Sequence, residues 1–171
     1  MNREECIAMS VGGLTLDPVT KAPIVVLRDA DNKLNLPIWI GLMEATAIAS
    51  ELEGIKTARP MTHDLLRTAL DELGGEVQAV EVCDLRENTY FARITIRAGD
   101  REIVLDSRPS DAIALALRTQ ATIYVAKRVL EQSSFLQEGE EGSEQNLSNV
   151  SPDRWAEILE KMAPDDFKYK M

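Results

Sequence analysis

Asp106-Ser107-Arg108-Pro109-Ser110-Asp111-Ala112-Ile113-Ala114-Leu115-Ala116-Leu117 is the stretch whose reading decides the fold of this 171-residue chain. A strand-like run, Glu102 to Asp106, stops there. The helix that follows, from about Ser110 to Thr119, is apolar nearly all round and rich in small residues. Such a helix belongs at the centre of a domain or in a subunit interface. The join also packs two carboxylates, an arginine and two hydroxyls into six positions. An earlier segment, Arg59-Pro60-Met61-Thr62-His63-Asp64, has the same character and also opens a helix.

Working outward, the flanking sequence reads as strands with helices inserted as blocks. Ile7, Met9 and Val11 alternate as in a strand, and Gly12-Gly13 marks a bulge. Asp17-Pro18-Val19-Thr20 and Asp29-Ala30-Asp31-Asn32-Lys33 are turns around a short strand, Ile24 to Leu27. Leu34, Leu36, Ile38 and Ile40 alternate again, and Pro37 places that strand at an edge or a bulge. Helices are expected from Leu42 to Gly54 and from Thr62 to Gly74-Gly75, each closed by glycine. The second shows Leu65, Leu66, Ala69, Leu70 and Leu73 on its apolar face. Val77 to Val82, then Tyr90 to Arg97, then Ile103 to Asp106 read as strands. Gly99-Asp100 makes the last two a hairpin. A short strand, Thr122 to Val125, and a terminal helical turn from Ala126 to Leu130 complete the pattern. The expected class is α+β: a mainly antiparallel or mixed sheet with three to four helices packed on it.

Composition sets limits. Residues 1–130 hold 15 Lys+Arg against 19 Asp+Glu, and residues 131–171 hold 4 against 10. A mildly acidic domain is a poor non-specific binder of duplex DNA, although a local basic groove is compatible with it. From 131 to 150 the chain is acidic and polar and reads as a linker. Residues 151–171 read as a short amphipathic helix and tail, with Trp155, Ile158, Leu159 and Met162 on one stripe. No apolar run reaches transmembrane length, and no signal peptide is visible. Cys6 and Cys83 match no metal or redox spacing, so free thiols in a reducing, cytoplasmic setting are expected.

Several chemistries drop out. Asp29 to Lys33 starts like a calcium loop but lacks glycine at its sixth position and glutamate at its twelfth. His63 is the single histidine, too few for zinc catalysis. No Gly-x-Ser-x-Gly elbow and no Gly-rich phosphate loop is present. The carboxylates remain. Asp64, Asp84, Glu87, Asp106 and Asp111 sit at strand ends or helix starts, and Arg59, Arg86 and Arg108 lie within a few positions of them. Oxygen ligands with a neighbouring arginine suit a Mg²⁺- or Mn²⁺-dependent phosphodiester cleavage. The plain structural alternative is that each Asp caps a helix and each Arg pairs with it. Asp84-Leu85-Arg86-Glu87-Asn88-Thr89-Tyr90-Phe91 divides similarly. Arg86 could hold phosphate and Tyr90 or Phe91 stack a base, or the segment is a tight turn whose aromatics enter the core.

Four runs together resemble a known family. Leu36-Pro37-Ile38-Trp39-Ile40-Gly41 with Glu44-Ala45 is the first, and Arg59 to Leu65 the second. Asp84 to Ala92 and Asp106 to Ala114 are the third and fourth. In order and spacing they are similar to the bifunctional nuclease domain family, over about residues 5 to 130. The resemblance implies an α+β fold, self-association as a dimer or higher, and a nuclease acting on DNA and RNA. The segment after Glu131 is unlike the helical extensions of some members.

Placed on these motifs, the expected site has Asp64, Asp106 and Asp111 as metal ligands and Glu87 as an acid or base. His63 is a candidate general base. Arg59, Arg86 and Arg108 hold phosphate and offset charge, with Tyr90 against a base. No organic cofactor is expected. The competing expectation is a non-catalytic oligomeric module that binds a partner or ligand. The two differ in one geometric respect: whether Arg108 and Asp111 face Arg59 and Asp64, or only pin their own helix.

Overall fold

The computed structural model describes residues 5–137. Among these, seven strands and four helices follow the order β1 (Cys6–Leu16), β2 (Pro23–Asp29), β3 (Asn35–Trp39), α1 (Leu42–Leu52), α2 (Thr62–Glu72), β4 (Gly75–Arg86), β5 (Thr89–Ala98), β6 (Arg101–Ser107), α3 (Pro109–Thr119), β7 (Thr122–Ala126) and α4 (Lys127–Gln137). The class is the expected α+β. The strands form one sheet in the order β3-β2-β1-β7-β4-β5-β6.

That order describes two three-stranded meanders joined at the middle by the last strand. β1-β2-β3 and β4-β5-β6 are each antiparallel throughout. β7 enters between them, antiparallel to β1 and parallel to β4. Since β6 runs parallel to β4, α3 is the crossover that carries the chain from the outer edge back to the centre. The central position expected for the helix at Ser110 follows. Ala112, Ile113, Ala114, Leu115 and Ala116 are all at most 1% exposed, and small side chains let α3 lie close to the sheet and to α1 and α2.

Local chemistry matches the turns. Asp17 Oδ1 accepts from the amides of Val19 and Thr20 at 3.0 and 2.7 Å. Asp29 Oδ1 accepts from those of Lys33 and Leu34 at 2.7 and 2.8 Å, so this segment is a turn. The register of β1 shifts between Val11 and Gly13, which is the bulge expected at Gly12-Gly13. Pro37 lies on the edge strand β3.

Three features differ from expectation. The apolar stripe of α2 stays largely in solvent: Leu65 is 63% and Leu66 41% exposed, and Leu73, just past the helix, is 83% exposed. β4 runs on to Arg86 because bulges at Val77/Ala79 and Val82/Asp84 keep it paired with β5. α4 extends to Gln137, past the change of composition at Glu131. The helix expected near Trp155 lies outside the described residues. Cys6 and Cys83 are both free, and no helix among the described residues is long and apolar enough to cross a membrane.

Candidate active site at the junction of three helix starts

Each of α1, α2 and α3 has an acid as its third residue: Glu44, Asp64 and Asp111. An acid in the first turn faces the free amides and the positive end of the helix dipole. Packing of α1 and α2 against α3 gathers these starts into one polar cluster.

Arg108 and Asp111 are its centre. Arg108 Nε donates to Asp111 Oδ2 at 2.7 Å and its Nη2 to Oδ1 at 3.1 Å, a two-point contact. Its Nη1 reaches Glu44 Oε1 at 2.8 Å. Asp111 Oδ1 also lies 3.2 Å from His63 Nε2. The chain of contacts is therefore Glu44–Arg108–Asp111–His63, with one side chain or more from each of three helices. Burial pushes the Asp111 carboxyl up. The bonds from Arg108 and His63 outweigh it and hold the group below its ordinary value. The same contacts with Asp111 keep Arg108 firmly protonated. Arg108 remains 58% exposed at the side chain, whereas His63 is 11% exposed.

A second cluster adjoins the first. Arg118, 2% exposed at its side chain, donates from Nε to Asp64 Oδ1 at 2.5 Å. Its Nη1 donates to the carbonyls of Ala47 and Ala114 at 3.1 and 3.0 Å. Glu51 Oε2 stands 3.9 Å from its Nε. Asp64 Oδ2 accepts the Met61 amide at 2.8 Å and so caps α2. The Arg118 bond, with the Met61 amide next, holds the Asp64 carboxyl below its ordinary value.

The two Arg-Pro joins thus meet, but through His63 and Asp111. Asp64 turns to Arg118. Asp106 lies elsewhere: it is exposed and stands opposite Arg93 in the β5–β6 register. The buried neighbours of Arg93, Ala92 and Ile94, face the helices, so strand alternation puts Asp106 on the opposite face of the sheet. Asp64, Asp106 and Asp111 therefore do not form one ligand set. Among the described residues no three His, Cys, Asp or Glu side chains are grouped to hold a metal ion. The residues as arranged do not fit a carboxylate-built metal centre.

The remaining candidates are dispersed. Arg59 is exposed in the loop before α2, with no ion pair among the described residues; its carbonyl accepts from Thr57 Oγ1 at 2.5 Å. Arg86 binds Asp84 through Nε at 2.6 Å and sits 5.2 Å over the Phe91 ring. Glu87 and Asn88, at φ 48 and 59, form the two-residue turn between β4 and β5. Tyr90 packs against the core, and burial raises its phenol. A cavity of about 230 Å³ lined by Met9, Val11, Ala116, Leu117, Gln120 and Ile123 lies at the other end of α3.

Glu44, quoted above only as part of a motif, and Arg118 are absent from the site expected from the sequence. Their signals were present: Glu44 repeats the third-position acid of the other two helices, and Arg118 is a lone cation on an otherwise apolar helix.

Comparison with known proteins adds a separate line. An uncharacterized protein of Mycobacterium tuberculosis is 38% identical over 160 residues, spanning 92% of this chain and 96% of that protein. Bifunctional nuclease 2 of Arabidopsis thaliana is 29% identical over 126 residues, which are 71% of this chain and 38% of its own length. Bifunctional nuclease 2 of Oryza sativa subsp. japonica is 28% identical over 124 residues, 70% of this chain and 38% of its own length. A family model described as the bifunctional nuclease domain matches residues 25–138, a span that contains the whole junction.

Proposed function

The chain belongs to the bifunctional nuclease domain family, and from that premise we propose that it hydrolyses phosphodiester bonds of DNA and RNA at the junction of α1, α2 and α3. The observation that carries the reading is the His63–Asp111 contact at 3.2 Å with the half-exposed Arg108 bound to the same carboxylate. A carboxylate that orients an imidazole fits it for proton transfer. With Nε2 turned to Asp111, Nδ1 is the nitrogen left for a reacting proton. In this reading His63 takes a proton from water as its oxygen attacks phosphorus, the P–O ester bond breaks, the leaving oxygen takes a proton from solvent water, and His63 releases its own to solvent. Arg108 offsets the charge that develops on the phosphoryl oxygens, and Arg59, in the loop entering α2, provides a second cation for the strand.

No step is assigned to a metal, since the carboxylates do not gather. Dependence on Mg²⁺ or Mn²⁺ stays part of the proposal, tested by activity on single-stranded DNA and RNA with each ion and with chelator. Arg108→Ala is expected to lower kcat/KM by 10²–10³-fold, the scale for a lost charge-stabilising group. Wild-type activity that persists unchanged in Arg108→Ala and His63→Ala would point to a contaminant and end this reading.

A second reading is favoured by one observation: each acid of the junction already has a cation within the chain. On that reading the cluster ties three helices together in a non-catalytic, self-associating module. The exposed apolar residues Leu65 and Leu66 of α2, Leu73 just after it, and Val104 and Leu105 of β6 are candidates for covered surface in such an assembly. Absence of cleavage under every metal condition, with a dimer or larger species in light scattering, supports it.

A further inference from the structure

We propose that Arg118 is a positioning residue that holds His63 against Asp111; this rests on the reading of His63 as the proton-transfer group. Arg118 does not touch His63. It acts through Asp64, whose two oxygens are divided between the buried guanidinium and the Met61 amide. His63 lies between Met61 and Asp64, inside the small loop that the Met61–Asp64 bond closes and the Arg118–Asp64 bond anchors to α3. Its backbone is thereby fixed at the first turn of α2.

The geometry has a second grip. Asp111 and Arg118 are seven residues apart on α3, two turns or about 10 Å along one face. They hold successive residues of α2: Asp111 meets the His63 ring at 3.2 Å, and Arg118 meets Asp64 at 2.5 Å. One attachment would leave the start of α2 free to pivot; two along the same helix face remove that freedom. Arg118 is itself immobilised, since Nη1 donates to carbonyls on α1 and α3 while Nε donates to α2. The planar fork of arginine can meet these acceptors together. A lysine ammonium, on a flexible stem with one donor centre, cannot. Arg118→Lys therefore keeps the charge and removes the geometry.

The chain contains one histidine, so its ring proton resonances are identified directly in a proton NMR spectrum. The experiment compares wild type, Arg118→Lys, Asp64→Asn and Asp111→Asn, each checked for cooperative melting. Arg118→Lys and Asp64→Asn are expected to move the His63 ring resonances away from wild type, as Asp111→Asn does by direct loss of contact. Both are expected to lower kcat on single-stranded DNA by tenfold or more with KM within about twofold, and the double variant is expected to be no worse than either single one. Ring resonances at their wild-type positions in both variants would overturn the proposal, whatever the loss of melting temperature. If Arg118→Lys does not fold, Asp64→Asn, which leaves α3 untouched, carries the same test. If the resonances move in a wild-type background without cleavage activity, the positioning role stands and the nuclease reading fails. If cleavage is present and the resonances do not move, the reverse holds.

Discussion

Asp111 accepts from Arg108 twice and contacts His63 once, so its carboxylate carries the electrostatics of the junction. Both Asp111 and Asp64 titrate below the ordinary carboxylate range in the folded chain. A group whose folded value is depressed adds stability above its unfolded value, about 3.9 for Asp, and that contribution is lost as pH falls through the folded value. Asp111→Asn should therefore lower stability by on the order of 1 kcal/mol near pH 7. The gap from wild type should close as the pH falls below about 4. Urea unfolding between pH 3 and 7 measures this, and a gap independent of pH would contradict it. At this scale the sequence made Arg108, Asp111 and His63 visible as polar residues at helix starts. It did not reveal that Asp64 and Asp111 serve different cations, because partner choice depends on which helix faces which.

Elements were more legible than sites, since turns and caps are written in neighbouring residues. The β4–β5 hairpin is an example. Asn88 takes a left-handed backbone angle, which asparagine tolerates, but Glu87 takes one too. Glutamate gains nothing locally from a left-handed conformation, which costs an ordinary residue about 1–2 kcal/mol. Replacing Glu87-Asn88 by Asn-Gly should stabilise the domain by about 1 kcal/mol, seen as a higher melting temperature. It should also leave nuclease activity within twofold, since Glu87 takes part in none of the ion pairs of the junction. A large loss of activity in that variant would restore Glu87 to the site. The stripe on α2 was legible as apolar, yet its burial was not. Periodicity identifies a face, but the sheet and α3 cover only part of it.

Over the whole molecule, α3 and β7 do the joining. The two meanders have no strand in common except through β7, and α3 brings β7 there. Ile113, fully buried on α3, should cost about 2–5 kcal/mol when cut to Ala. Unfolding should remain a single transition by calorimetry, because neither meander can bury its inner face without α3. Two separated transitions would show that the halves fold independently. What the sequence by itself determined was the set of elements and the family: alternation, caps and turn residues act over a few positions and can be read there. Only the tertiary structure decided which elements are neighbours. Insertion of the last strand between the first and the fourth sets α3 across the sheet, and that long-range pairing joins His63 to Asp111, Asp64 to Arg118, and leaves Asp106 on the other face.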